Sequence, residues 1–260
     1  GLLFWMMLFI IALLSIPTTP EETELLYLDV GQGSCALLRT KEGEAVLFDA
    51  GAQKQELASV LAWYGVNTID AVILSHSDTD HISGLKKVME SICVQQILAE
   101  SEQLKRETMN DIRILAEKKR VLCNTINERN CLWLKNGEVV LQPFSDDTEN
   151  GNRVELTAVL QYGNQVVVFP GDLALSGIEK IIMKEPHITI WTVPHHGSRF
   201  SGDDRLYRLL KQKGVAYAVI SAGRENRYGH PHKELLNWLN RNQIEYYSTA
   251  ETGALLFLLS

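Results

Sequence analysis

Six of the seven histidines in this 260-residue chain fall in three short stretches, His76–His81, His195–His196 and His230–His232, and the first two directly follow apolar, β-branched runs. Histidines that serve only structure scatter over helix surfaces and core faces. Gathering them at strand ends and helix starts requires a fold that carries several loops to one place, as a single polar site does. Only His187 stands apart.

The densest stretch is Ser75-His76-Ser77-Asp78-Thr79-Asp80-His81, with four ligand-type side chains in six residues. A strand end delivering His76 and Asp78 from alternate positions, followed by Asp80 and His81 from a turn, offers nitrogen and oxygen ligands to two cations. The plain alternative is a polar loop in which Asp80 caps a helix. Phe169-Pro170-Gly171-Asp172 ends another strand; alone it would be an ordinary turn. Val193-Pro194-His195-His196-Gly197-Ser198 is a third strand end, which in isolation would be two solvated histidines. Ser221-Ala222-Gly223 and Arg227-Tyr228-Gly229-His230-Pro231-His232 make a fourth piece. There Pro231 at the head of an expected helix leaves His230 just before the helix start, where free N–H groups favour an anion such as a phosphate. Two exposed histidines at a helix start are the alternative.

In this order the motifs resemble the metallo-β-lactamase superfamily, whose signature is His-x-His-x-Asp-His on a strand-to-helix loop. Within it they resemble the ComEC family of DNA-uptake proteins, where an aspartate takes the place of the second histidine, as Asp78 does here. The resemblance covers residues 25–260 and implies an α/β fold, the metallo-β-lactamase αββα sandwich. It also implies two divalent metal ions. His76 and Asp78 would bind one, Asp80 and His81 the other, with Asp172 bridging both and His196 completing the second; the sequence leaves open whether His195 or His196 is that ligand. A carboxylate at position 78 shifts a zinc-type site toward manganese or magnesium. Asp80, His195 and His230 are the expected catalytic residues, His195 and His230 as candidate proton donors or substrate contacts. Leu28-Asp29-Val30-Gly31-Gln32-Gly33 and Phe48-Asp49-Ala50-Gly51 are further matches; Ser34 stands where the family often has aspartate, and Asp49 is expected to hold the ligand loop by hydrogen bonds. Asn150-Gly151-Asn152 is an imperfect counterpart of the family's Asn-rich stretch.

Ahead of this unit, Leu2–Ile16 is apolar except for Ser15 and is closed by Pro17 and Pro20. It is shorter than the roughly 20 residues that span a bilayer. Because the chain opens on Gly1, the segment is expected to be the end of a transmembrane helix that begins upstream in a longer protein. A signal peptide, the alternative, would carry a basic region first. Glu21, Glu22 and Glu24 follow, and no Lys or Arg precedes Arg39, which places this flank on the extracytoplasmic side of the cell membrane. The expected division is residues 1–20, helix end and linker, and residues 21–260, the hydrolase domain.

The formal charge of −7 argues against a broad phosphate-neutralising face, although the acidic excess lies in the first 150 residues and bound cations would add charge at the site. Cys35, Cys93, Cys123 and Cys131 lack zinc-ribbon spacing and read as ordinary residues, a Cys123–Cys131 disulfide being the alternative. The expected elements include strands at 25–30, 36–39, 45–48 and 71–74, one helix over 102–119, and a hairpin of 153–162 with 165–169 turned at Gly163-Asn164.

These readings lead to metal-dependent phosphodiester hydrolysis of DNA, with a single strand as partner. A paired metal site acidifies water and neutralises growing charge, so no protein nucleophile is needed. Two alternatives remain: an extracytoplasmic metallohydrolase of a small or cell-wall phosphoester, and a non-catalytic DNA-binding module. A DNA groove should be flanked by basic residues such as Lys86, Lys87, Arg199, Arg224 and Arg227, a small-ester site by closed walls.

Overall fold

The computed structural model describes residues 19–51, 57–148 and 151–260, together with Gly1 and Trp5. The expected membrane helix, Trp5 aside, lies outside the described residues. Among the described residues no helix is long and apolar enough to cross a membrane.

Among the described residues, two seven-stranded sheets and a small third one account for the strands. In chain order the first half supplies β1 (Thr23–Tyr27), β2 (Ala36–Arg39), β3 (Ala45–Phe48), β4 (Thr68–Ile69), β5 (Ala71–Ile73), β6 (Cys93–Val94), β7 (Gln96–Ala99) and β8 (Leu122–Thr125). The second half supplies β9 (Asn130–Leu134), β10 (Gly137–Thr148), β11 (Gly151–Tyr162), β12 (Gln165–Phe169), β13 (Ile190–Thr192), β14 (Tyr217–Ile220), β15 (Glu245–Ser248) and β16 (Leu255–Leu259). One sheet has the order β16-β1-β2-β3-β5-β7-β8, the other β15-β14-β13-β12-β11-β10-β9, and β4 pairs with β6.

Side chains of the central strands alternate between two destinations. Leu25, Tyr27, Leu38, Val46, Phe48 and Ile73 meet Leu141, Leu156, Leu160, Val167 and Phe169 between the sheets, where Phe48 and Phe169 stack at 4.1 Å. Leu26, Leu37, Leu47 and Val72 face the other way, against helices α1 (Leu57–Trp63), α2 (Thr79–Ile82), α3 (Leu85–Ser91) and, past the short α4 (Ser101–Lys105), α5 (Asn110–Lys119). On the second sheet Val166, Val168, Trp191 and Ile220 pack under α6 (Leu175–Lys184), α7 (Asp204–Gln212) and α8 (Lys233–Arg241); α9 (Thr249–Thr252) follows β15. This is helix, sheet, sheet, helix: the αββα sandwich.

The single helix expected over 102–119 is two. Arg106 adopts φ −61, ψ 150, which no helix continues through. The break lets Gln103 reach back: its Oε1 accepts from Ser77 N–H (3.0 Å) and Ser77 Oγ (2.8 Å), and its Nε2 donates to the Val154 carbonyl (2.7 Å). Gln103 thereby fastens the loop after β5 to the opposite sheet. The first strand is also shorter than expected, ending at Tyr27, and the helix near the C-terminus is capped by His232, so His230 lies two residues ahead of the cap. All four cysteines are free.

β3 runs parallel to β5, and β12, β13 and β14 are parallel to one another, so the loops leaving their carboxyl ends emerge together. The chain enters at the other pole, where a Cβ on Gly43 in the β2–β3 turn would lie 3.2 Å from Thr19 Cγ2. Between α2 and α3, Gly84 sits under the loop after β3, and a Cβ there would lie 2.3 Å from the Ala50 carbonyl oxygen. Gly84→Ala is therefore expected to lower unfolding stability by about 1–3 kcal/mol; urea denaturation of the two proteins checks this.

Candidate metal centre

Each histidine of the cluster is held by one nitrogen. His76 Nδ1 lies 3.0 Å from Glu155 Oε2, His81 Nδ1 2.8 Å from Asp49 Oδ2, and His196 Nδ1 3.0 Å from the Ser221 carbonyl. A carbonyl only accepts, and a carboxylate takes the better hydrogen bond from N–H, so each Nδ1 donates and each Nε2 carries its lone pair inward. Those inward nitrogens meet one another and carboxylates. His81 Nε2 is 3.3 Å from His196 Nε2 and 3.7 Å from Asp172 Oδ1; His76 Nε2 is 3.8 Å from Asp172 Oδ2; His196 Nε2 is 3.1 Å from Asp80 Oδ2. With the three rings neutral, every inward-facing side-chain atom of the cluster is an acceptor; until a cation binds, a proton held among them fills that place.

That donor set fits divalent cations, and one atom tests it directly. His76 Nε2 is fully buried with no hydrogen-bond partner, a condition costly in a protein interior unless a cation completes it. Two overlapping groups have ligand atoms within 4.8 Å of one another: His76, His81 and Asp172, and Asp80, His81 and His196. Asp172 turns one oxygen toward each of two imidazoles. Asp78 stands at the rim, its Oδ2 3.7 Å from His76 Nε2 and its Oδ1 3.7 Å from Arg106 Nη1.

The loops that carry these residues are tightly determined. Asp49 adopts a left-handed backbone (φ 55), which aspartate tolerates, and its carboxylate accepts from the Ser75 N–H at 2.8 Å as well as from His81. His195 and His196 are both left-handed, at φ 50 and 55, which costs about 1–3 kcal/mol each. The turn sends the two rings to different places. His196 is buried and joins the cluster; His195 is half-exposed, with its N–H 3.1 Å from Asp172 Oδ1 and its Nδ1 3.5 Å from Asp172 Oδ2. His230 Nδ1 faces Gln32 Nε2 at 3.4 Å; Gln32 Oε1 accepts from Gly223 N–H, so the amide end points at His230. His187 is remote and exposed, near the Asn164 carbonyl.

Charges follow from this packing. Burial alone would lower the His81 pKa, but the Asp49 carboxylate, with Asp172 and Asp80, outweighs it and raises the value to about 10. Burial raises Asp80, yet the hydrogen bond from His196 and the His81 and His196 charges bring it to about 2. Asp172 is likewise held well below the usual carboxylate range against its own burial, by His195 and the three cluster histidines. Burial, His196 and His232 push His230 down to about 4, so at neutral pH the ring is uncharged, and with Nδ1 accepting from Gln32 its single N–H is at Nε2.

Sequence reasoning brought His76, Asp78, Asp80, His81, Asp172, His195 and His196 forward, and the fold brings them together. It missed Glu155, Gln103, Gln32 and Arg106. Glu155 had a signal: it is the one charged residue in the run from Val154 to Leu160, which is apolar but for Thr157, and such a charge is buried only when paired.

Residues 28–224 match the family model of the metallo-beta-lactamase superfamily, and the chain belongs to that superfamily, a fold of divalent-metal hydrolases. It is also similar to competence proteins, as the motifs led one to expect. It is 26% identical over 263 residues to ComE operon protein 3 of Bacillus subtilis, covering 93% of this chain and 34% of that protein. It is 27% identical over 268 residues to the competence protein ComA of Neisseria gonorrhoeae, covering 99% of this chain and 36% of that one. The chain thus spans about a third of the curated relatives it matches. Among solved structures, a diphosphatase of the PhnP family superposes with a TM-score of 0.60 at 15% identity, over 91% of this chain and 98% of that one.

Two outcomes are expected. Removing an outward anchor, as in Glu155→Ala, should weaken metal binding about 10- to 100-fold, read by competition with a chromophoric chelator. Because a cation must displace the proton that the raised His81 pKa retains, affinity should climb as pH rises toward about 10, with proton release measurable by calorimetry in buffers of different ionisation enthalpy.

Proposed function

We propose that this chain is the metal-dependent phosphodiester hydrolase unit of a ComEC-like DNA-uptake protein, acting on DNA. The observation that carries the reading is the convergence of three buried Nε2 lone pairs with Asp172 and Asp80, an arrangement that calls for cations. His76, Asp78 and Asp172 would hold one ion and Asp80, His81, His196 and Asp172 the other; manganese and zinc suit the mixed donors, and magnesium is the third candidate. When bound, such ions neutralise charge growing on a phosphoryl oxygen and acidify water. The chain's own groups do the rest. Asp80 and Asp172 stay ionised, His195 beside Asp172 is placed to give a proton to the leaving oxygen, and His230 offers its N–H to a substrate oxygen.

DNA is favoured over a small ester because the site opens outward. Asp78 and Asp80 have side chains 42% and 34% exposed, and Arg106, Arg199, Arg224 and Arg227 are exposed on loops around it. Lys86 contributes less, being paired with Asp111 at 2.6 Å. In this reading residues 21–260 form the hydrolase. The apolar stretch Leu2–Ile16 ties it to a membrane, with the site at the pole away from Thr19 and the unit on the extracytoplasmic side.

Incubated with single-stranded DNA and manganese, magnesium or zinc, the chain should cut the strand, and Asp172→Ala should abolish cutting by at least about 100-fold, since one of its oxygens serves each metal group. Intact DNA from a chain with metal demonstrably bound would transfer the reading to a small phosphoester.

A further inference from the structure

Two loops beside the metal centre each carry an arginine followed by an exposed aromatic ring: Arg199-Phe200, after His196, and Arg227-Tyr228, before His230. Phe200 is 72% exposed and Tyr228 49%. Neither exposure comes from a loose loop. Beneath Phe200, the fully buried Ser201 donates its hydroxyl to the Pro194 carbonyl (2.7 Å) and accepts at its own carbonyl from the Tyr207 hydroxyl (3.0 Å), while Phe200 N–H donates to Ser198 Oγ (3.1 Å). In the second loop Asn226 Oδ1 accepts from the N–H groups of Tyr228 (3.2 Å) and His230 (2.8 Å), and its Nδ2 donates to the Gly223 (2.8 Å) and His230 (2.6 Å) carbonyls. His232 N–H donates to the Gly197 carbonyl at 2.8 Å, so the loops are neighbours.

Planar groups continue inward from Tyr228. The Arg227 guanidinium lies 4.9 Å over its ring, and the ring stacks on His230 at 5.5 Å and 22°. A column of flat groups therefore runs from solvent to a histidine beside the metal ligands. A small phosphoester has no use for two outward planar groups on separate loops. An unpaired nucleic-acid strand does: its bases expose π faces that stack on aromatic rings and guanidinium planes, and its phosphates take the arginine charge. A duplex hides those faces.

We propose that the Phe200 ring and the guanidinium plane of Arg227, held flat over Tyr228, are stacking platforms for bases of single-stranded DNA, with Arg199 meeting an adjoining phosphate. This rests on the DNA reading above and names the form of DNA the site takes.

The test is binding. A fluorescent DNA strand of about twelve nucleotides, and the same strand with every base replaced by an abasic residue, are mixed rapidly with the full chain and manganese, and anisotropy is read before scission. Phe200→Leu, and Tyr228→Leu, which removes the ring under Arg227, should each weaken binding of the normal strand about 5- to 150-fold, leave abasic-strand binding unchanged, and be rescued by Phe200→Tyr and Tyr228→Phe. Leucine variants that bind the normal strand like the native chain, or that lose both strands equally, overturn the proposal. Ring-dependent binding without cutting would refute the nuclease reading and keep the platforms; cutting that ignores the leucine changes would do the reverse. A native chain that neither binds nor cuts removes both.

Discussion

Three imidazole N–H groups turned outward, onto Glu155, Asp49 and the Ser221 carbonyl, leave the middle of this protein with lone pairs and carboxylates only. Like partial charges at 3–4 Å in a low-dielectric interior repel, and the arrangement persists because something positive resolves it. Without a cation the resolution is a proton, which is what the raised pKa of His81 expresses. With divalent cations the same acceptors become ligands. The left-handed turns at Asp49, His195 and His196 make sense in this light: their strain is offset by contacts that aim a carboxylate or a ring nitrogen at one small volume.

The sandwich serves that volume by its polarity. Parallel strands β5, β12, β13 and β14 end at one rim, so four loops distant in sequence need only short excursions to meet. The antiparallel strand β11 contributes differently. It brings Glu155 up beneath His76 from the opposite sheet, while the Leu156 N–H donates to the Ser75 carbonyl at 2.8 Å, locking the ligand loop across the interface of the two sheets. Gln103 adds a second lock from the broken helix. The metal loop is thus held from below and from the side, which leaves its outer face, with Asp78 and Arg106, open to a substrate.

Much of the architecture is legible in the sequence. β2 and β3 match their expected bounds, and the hairpin turned at Gly163-Asn164 is there, because turn glycines and β-branched runs are local signals. Other elements are not. Strand β7, the long β10 and helix α6 escaped notice. Strand β7 is buried on both faces, so it shows no alternation to separate it from an apolar helix segment. The break at Arg106 was invisible because every residue from Glu102 to Lys119 favours helix or tolerates it, while the contacts of the short helix, such as Gln103 with Ser77, are tertiary and leave no local signal.

What the sequence by itself determined is the chemistry of the donors and the superfamily: which residues are histidine or aspartate, and that they stand on loops at strand ends. What only the tertiary structure decided is orientation. It sends His196 inward and His195 to the margin, chooses Nε2 over Nδ1 in three rings, and recruits Glu155. The reason is physical. A residue's identity fixes what it can donate or accept, but which of its atoms faces the site depends on the partner of the other atom, and those partners lie dozens of residues away along the chain.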